Sequence, residues 1–466
     1  MSERRRFALV LGLLVWFSCA WFGASEFNPN NVTRLAAAVS IVEDHDATID
    51  EYNDVTIDKA RFGDHFYMDK APGMTLMAVP WIWLADHITH DNAGNYSKSY
   101  FGDLWRFLRL RMRLATAFGS AILTALATVA MLSLASEIGG SRSAGLFAAL
   151  GYALGTPVWG WSTSLFGHAV VADMLVIGVW AIWRASASGH LRYAAIAGAA
   201  LGWSLTVEVQ SLLWLAFIGP WAIARVWPNP ARWRLLGAAA IAGLATLSPL
   251  PLYNLFAFGT PFRLGYQGVV GFEGMNRGIL GVSWPDPALI AKLLFGPYRG
   301  LYWVAPILLL GTFGVAWLAR QAKTRGLGLV TGGIAIAALL YNAGYFYWDG
   351  GYSTGPRHMI PAAGMLALGL APVWRMLDPG LERIAAAVFL GLSISLNLAI
   401  AASEIASPDL YAHPLTEHVL PLFFDGKIRA AGSEWLNWST RTALLFYLVP
   451  AFAAVVWLVR KAKPAQ

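Results

Sequence analysis

The chain has 466 residues, of which 57% are hydrophobic and only 13% charged, and its formal net charge is +7. A soluble domain carries about a quarter charged residues, so this composition excludes a soluble globular enzyme. The single Cys19 excludes a disulfide framework, and the alternating ten-residue strands of a membrane barrel are absent. What remains is an all-α polytopic membrane protein.

The N-terminus carries Arg4-Arg5-Arg6 ahead of an apolar run from Phe7 to Gly23. Gly23-Ala24-Ser25 is a weak cleavage-like site, but the charge pattern of the later loops fits an uncleaved first span. Apolar runs long enough to cross a ~30 Å hydrocarbon core recur along the chain. About twelve transmembrane helices are predicted, at 7–25, 112–134, 144–161, 168–184, 193–208, 211–226, 236–257, 301–319, 327–346, 359–375, 384–402 and 441–459. With the N- and C-termini in the cytoplasm, the inner side holds 17 Lys/Arg against four acids, Glu3, Glu137, Asp378 and Glu382. The outer side holds 17 Lys/Arg against 23 Asp/Glu. This is a positive-inside pattern, and it accounts for the basic balance without nucleic acid.

Met74–His90 is apolar enough to span. Crossing there would turn every later basic loop outward, so it is read as a helix at the outer interface, with Trp81 and Trp83 at headgroup depth. Arg106, Arg109, Arg111 and Arg113 then lie outside, and Arg106, Arg109 and Arg113 share one helical face. They either snorkel to headgroup phosphates or serve a lipid-linked phosphate. The outer segments 26–111, 258–300 and 403–440 are too long for turns. Together with 345–358 they are expected to form an outer-face site on a single transmembrane domain covering 1–466. No internal repeat is visible, and no inner loop is long enough for a soluble domain.

The first outer loop is the most polar stretch. It holds ten acids between Glu26 and Gly73, with Asp50-Glu51-Tyr52, Thr56-Ile57-Asp58-Lys59-Ala60 and a closing Tyr67-Met68-Asp69-Lys70-Ala71-Pro72-Gly73. An amphipathic stretch runs from Leu35 to Val42. Carboxylates are costly near lipid, so their number here points to chemistry or ion handling. Glu43-Asp44-His45-Asp46 has the oxygen-rich character of a divalent-metal loop, but clustered loop acids are usually solvated. No zinc spacing occurs, no particular cofactor is implied, and a divalent metal is the minor reading of this run.

This arrangement resembles the GT-C superfamily of polyprenyl-phosphate-sugar glycosyltransferases, in particular the protein mannosyltransferase and aminoarabinose transferase branch. Members have an acidic first outer loop with interfacial helices and a Tyr-x-x-Lys-x-Pro element entering the next apolar helix. Here that element is Tyr67-Met68-Asp69-Lys70-Ala71-Pro72. The outer loops after the first and seventh spans also fit, so the resemblance covers most of the chain.

The resemblance implies a GT-C-like fold and an inverting sugar transfer from a polyprenyl-phosphate carrier. Such a transfer needs cations for the leaving phosphate and, for a hydroxyl acceptor, a general base. Lys70 is placed at the donor phosphate. Family members commonly keep an Asp shortly before an Arg-Tyr-like pair, whereas the matching place before Arg34 holds Asn30 and Asn31. The base then falls to Asp58 or Asp50, or is unnecessary if the acceptor is itself a phosphate. Helix capping or pairing with Lys59, Arg61 or Arg34 is the structural alternative for both.

Farther along, Phe166-Gly167-His168 precedes Asp173 at the outer end of the fourth span, where related enzymes often place an acid. His168 is either a packing histidine or a site residue. Glu208 and Gln210 close the next outer turn and are read as structural. The segment 345–361 combines aromatics, Gly350-Gly351-Tyr352 and Gly355-Pro356-Arg357. Gly-Pro-Arg-x-x-x-Pro looks like a late outer-loop arginine motif of GT-C-like proteins. Arg357, at a helix start, suits a bidentate grip on phosphate, with a salt bridge to Asp349 as the alternative. Tyr67, His168, Asp173, Arg299 and Tyr352 are candidate walls of the site.

The reading is a multi-pass glycosyltransferase of the bacterial inner membrane. It uses a polyprenyl-phosphate-sugar donor lipid and an acceptor of unspecified class at the periplasmic face. No Walker or Rossmann glycine motif occurs. A lipid or small-molecule transporter or flippase is the rival, and a catalytically inactive GT-C-like accessory subunit is a third reading. Sequence names neither the sugar nor the acceptor.

Overall fold

A computed structural model describes residues 2–462, and nearly all of their regular structure is helical. Helix α1 (Glu3–Trp21) runs along the bundle and packs against the last helix, Thr440–Ala462. Among the described residues, seven helices are long and apolar enough to cross a membrane. They are Leu104–Gly139, Gly167–Ser188, Arg232–Phe258, Arg325–Gly344, Arg357–Met376, Leu381–Ala402 and Thr440–Ala462. The other expected spans fall on shorter or broken helices. The run 144–161 divides into Arg142–Ala153 and Val158–Trp161. Pro157 lies in the gap and disfavours helical backbone at Thr156. The run 301–319 breaks around Pro306 into Leu301–Val304 and Leu308–Arg320.

Near the opposite end of the bundle from the long loops, Arg142 Nη1 meets Glu3 Oε1 at 3.0 Å and donates to Lys461 O at 3.0 Å. The two ends of the described chain therefore share one face. The loops gather on the other.

Helix α2 (Pro29–Glu43) begins the first loop. Asn28 caps it by accepting from Asn30 N at 3.1 Å, and Pro29 sits where a missing N–H costs nothing. Leu35–Val42 was expected to be amphipathic, but every residue from Asn30 to Ser40 is buried. The reason is that the helix Gly73–Thr89 and the turn Asp50–Val55 close over the face that the sequence pattern would leave in water. Strands β1 (Ala60–Phe62) and β2 (His65–Tyr67) then form a small antiparallel hairpin.

Helix α3 (Gly73–Thr89) is the segment read as interfacial. It packs on α4 (Leu104–Gly139), a continuous helix of 36 residues that contains a π-turn at Thr116–Ser120. At 1.5 Å per residue α4 is about 54 Å long, well beyond the ~30 Å of hydrocarbon. Met77 lies against Gly119, Trp81 stacks on Phe118, and Asp86 pairs with Arg111. All three contacts fall in the loop-side half of α4, so both ends of α3 stay on the loop side.

The four long loop segments are hydrogen-bonded to one another. Val270 N donates to Lys59 O at 3.0 Å, Phe346 N to Gly281 O at 2.8 Å, and Ser353 N to Ser407 O at 2.9 Å. A half-buried charge network adds to this. Glu26 meets Arg109 at 3.1 Å and Arg429 at 2.5 Å, while Glu434 meets Arg113 at 2.6 Å and Arg429 at 3.5 Å. Of the four arginines read as facing headgroups or phosphate, three are therefore engaged by Glu26, Asp86 or Glu434. Arg106 alone is exposed, resting beside Trp105.

Candidate functional site

Lys70 lies in the short link between β2 and α3. Its position is fixed by Gly73, where an added Cβ would come within 2.7 Å of Thr206 O and the Val207 backbone. Only glycine lets the start of α3 press against the end of helix Leu191–Val207. Lys70 Nζ then sits 2.5 Å from Asp69 Oδ2 and 3.5 Å from Asp58 Oδ2. Burial alone would lower the ammonium's pKa, but Asp58 and Asp69 outweigh it and hold the group above its ordinary value. Lys70 is therefore a permanent cation.

Asn30, in the place where the resemblance expects an acid, donates from Nδ2 to Asp58 Oδ2 at 3.1 Å. One turn on, Arg34 donates from Nη1 to Asn30 O at 3.2 Å and also contacts its side-chain oxygen. Arg34 is buried and its Nε has no partner. α2 thus delivers Asn30 and Arg34 on one face at i, i+4 spacing.

Arg357 reaches the same region from the far end of the sequence. Its guanidinium lies 5.2 Å from the Phe166 ring, and Asp58, Asp349 and Glu208 are the carboxylates whose charges act on it. It forms no ion pair or hydrogen bond among the described residues, and its Nε is a buried, unpartnered donor. Gly350 makes room for it. This glycine has φ +74°, and an added Cβ would stand 2.9 Å from Arg357 Nε. Arg299 supports the 345–358 segment from behind. It is fully buried and donates to Asp349 O at 2.6 Å, Gly351 O at 2.7 Å and Tyr298 O at 3.0 Å. All three of its donor nitrogens are spent on backbone carbonyls.

Two histidines complete the enclosure. His168 Nδ1 is 2.8 Å from Glu208 Oε1, and the His168 ring stands edge-on to His358 with centroids 5.3 Å apart. His358 is buried with both ring nitrogens unpartnered. Burial would raise the Glu208 pKa, but His168, Arg34 and Gln210 overcome it and hold the carboxyl below its ordinary range. Tyr266, from the 258–300 loop, lies in the field of Lys70, Glu208, Arg34 and Asp69. Desolvation pushes its phenol up to about 12. Tyr345 is reached by both Lys70 and Arg357.

The sequence-derived candidates divide accordingly. Lys70, Asp58, Arg357 and His168 are brought together. Asp50 is elsewhere, accepting from Phe66 N at 2.6 Å and meeting His65 Nδ1 at 2.6 Å near the loop surface. Tyr67 lines a separate cavity of about 490 Å³ with Phe62, Phe258, Arg263 and Gln267. Tyr352 is half exposed on the surface. Asp173 is fully buried between helices, accepting from Tyr152 Oη at 2.5 Å and Thr124 Oγ1 at 2.7 Å. In the acidic run read for a divalent cation, Glu43 accepts from Ala93 N at 3.1 Å and Asp46 from Thr48 N at 2.8 Å.

Arg34, Tyr266, His358 and Glu208 were not placed in the site from sequence. The signal for Arg34 in the sequence is its match to the arginine of the Arg-Tyr-like pair that the resemblance names. Beneath α3 lies an apolar cavity of about 470 Å³, bounded by Met77, Trp81, Phe118, Met174 and Trp203.

No family model and no curated protein matches the chain. Solved structures do. ArnT from Cupriavidus metallidurans bound to undecaprenyl phosphate aligns with 98% of this chain and 76% of its own, at a TM-score of 0.53 and 14% identity. The fold is that of ArnT. The apo state of ArnT aligns with 98% of this chain and 77% of its own, at a TM-score of 0.50 and 14% identity. At this identity the likeness to ArnT concerns the fold. The GT-C-like architecture implied by the Tyr67–Pro72 element is thus the one the chain adopts.

Proposed function

We propose that the chain is a glycosyltransferase that takes a sugar from a polyprenyl-phosphate carrier. The observation that carries this reading is Arg357, a guanidinium with no partner among the described residues, set in one enclosure with Lys70. Buried polar groups without partners are rare in proteins, and an arginine beside a lysine is suited to a phosphate. The charges of Asp58, Asp349 and Glu208 act on Arg357, but none of these carboxylates forms an ion pair with it among the described residues. A carrier phosphate adds the negative charge that Arg357 lacks. The fold it shares with ArnT, which binds undecaprenyl phosphate, supports the same lipid class.

In this reading the phosphate sits between Lys70 and Arg357, and the isoprenoid tail enters the apolar cavity beneath α3. Asp58 orients the reacting groups through Asn30 and Lys70. A single displacement at the sugar carbon inverts its configuration, as the GT-C resemblance implies. The loop face is the periplasmic face of a bacterial inner membrane, with both termini cytoplasmic. The positive-inside pattern and the junction of Glu3, Arg142 and Lys461 support that orientation.

The test is turnover by purified protein with a panel of radiolabelled undecaprenyl-phosphate hexoses and pentoses. Sugar release or transfer that Arg357→Ala and Lys70→Ala abolish is the expected result. Absence of turnover across the panel, or full turnover by the Arg357→Ala and Lys70→Ala double variant, refutes it.

A further inference from the structure

We infer that His168, oriented by Glu208, is the general base that activates a hydroxyl acceptor, so that the second substrate is an alcohol or sugar rather than a phosphate. This inference rests on the transferase reading above and specifies its second half.

The geometry is that of a carboxylate–imidazole pair. Glu208 Oε1 lies 2.8 Å from His168 Nδ1, within ion-pair distance but off the line of the ring N–H, so charge pairs the two groups. A carboxylate there holds the proton on Nδ1 and leaves the Nε2 lone pair free to accept one. Nε2 has no hydrogen-bond partner among the described residues. Asp58, the alternative base, already receives Asn30 Nδ2 and faces Lys70 through the same oxygen.

The surroundings point to a hydroxyl-bearing ligand at this end of the enclosure. His358 stands next to His168, is 6% exposed, and leaves both Nδ1 and Nε2 without partners. A buried imidazole with two empty positions is expensive unless a ligand fills them. Phe166, whose ring lies 6.0 Å from His168 and 5.2 Å from the Arg357 guanidinium, spans the gap between the two halves. The two imidazoles thus stand beside the cations of the leaving group, and the charges of Arg357 and Lys70 both act on His358.

The step balances. The acceptor O–H bond breaks and its proton passes to His168 Nε2, while the oxygen forms the new bond to the sugar C1. The bond from C1 to the phosphate oxygen breaks, and the electron pair leaves with the polyprenyl phosphate, which Lys70 and Arg357 stabilise. Water then takes the proton from His168. Glu208 touches no reacting atom and acts as a positioning residue.

The experiment uses the full chain, radiolabelled undecaprenyl-phosphate hexoses and pentoses as donors, and octyl glucoside as the hydroxyl acceptor. His168→Gln is expected to lower kcat by about 10²–10⁴-fold, with the donor KM unchanged. Glu208→Gln is expected to lower kcat less, again without changing KM, and Glu208→Asp to recover part of the loss. Retention of radiolabelled undecaprenyl phosphate by each variant shows that it is folded. If His168→Gln turns over like wild type while Lys70→Ala is inactive, the base is misassigned and the transferase reading stands. If Glu208→Gln raises KM instead of lowering kcat, the pair is structural and the inference fails. If wild type turns over no donor, both readings fall.

Discussion

Replacing Lys70 by methionine removes a charge at nearly constant side-chain length and leaves Asp69, 1% exposed, without its partner at 2.5 Å. Breaking a buried pair on one side costs about 3–5 kcal/mol, because the remaining ion stays desolvated. Loss of activity in Lys70→Met alone would therefore confuse a damaged fold with a missing phosphate ligand. Adding Asp69→Asn removes the orphaned charge, and Asp58 still accepts from Asn30. Exchanging both members of a buried pair for neutral groups is close to neutral in stability. The double variant is thus expected to unfold near the wild-type temperature in detergent, followed by fluorescence of the 22 tryptophans. Its retention of radiolabelled undecaprenyl phosphate should still be weak. One charged hydrogen bond contributes about 1.5–3 kcal/mol, which corresponds to about 10- to 150-fold in affinity. A double variant that is stable and binds the carrier like wild type would refute the role given to Lys70.

Gly350→Ala places a side chain at φ +74° and 2.9 Å from Arg357 Nε. The left-handed backbone alone costs about 1–2 kcal/mol, and carrier retention should fall as Arg357 is displaced. Arg299→Lys keeps the charge but cannot serve the carbonyls of Asp349, Gly351 and Tyr298 together. Each carbonyl left unpaired costs about 1–3 kcal/mol, so limited proteolysis should cut the 345–358 segment faster than in wild type. Glu208 titrates below its ordinary value of 4.5 in the folded chain. Its contribution to stability is therefore complete above pH 4.5 and is lost as pH falls through the lower folded value. Thermal unfolding of wild type should lose ground below that pH, and Glu208→Gln should show a smaller acid loss.

The helical architecture was legible because apolar length and positive-inside charge are properties of contiguous sequence. Lys70 was legible because Tyr67–Pro72 is local, and Arg357 because glycine, proline and arginine stand together. What joins them was not. Asn30 and Asp58 are 28 residues apart, and the pairing of His168 with Glu208 depends on how two helices end beside each other. Nothing in either local sequence fixes that meeting. Glu208 reads as a turn residue until His168 is placed next to it. Arg299 reads as a site wall until its three carbonyl partners are known. α2 looks half exposed because the cover over its polar face comes from segments distant in sequence.

The half-buried network of Glu26, Arg109, Arg113, Arg429 and Glu434 has a bearing on biogenesis. Glu26 and Arg429 are 403 residues apart, and Arg113 and Glu434 are 321 apart. During synthesis the first loop is made early, and its glutamate waits for an arginine that arrives only just before the last helix. Contacts so distant close late. Until they do, Glu26, just before α2, lacks the partner that Arg429 supplies. A nascent chain stalled or truncated before Arg429 would hold most of its helices and still leave Glu26 without that partner, which makes the last tenth of the chain the step at which the loop face is tied together.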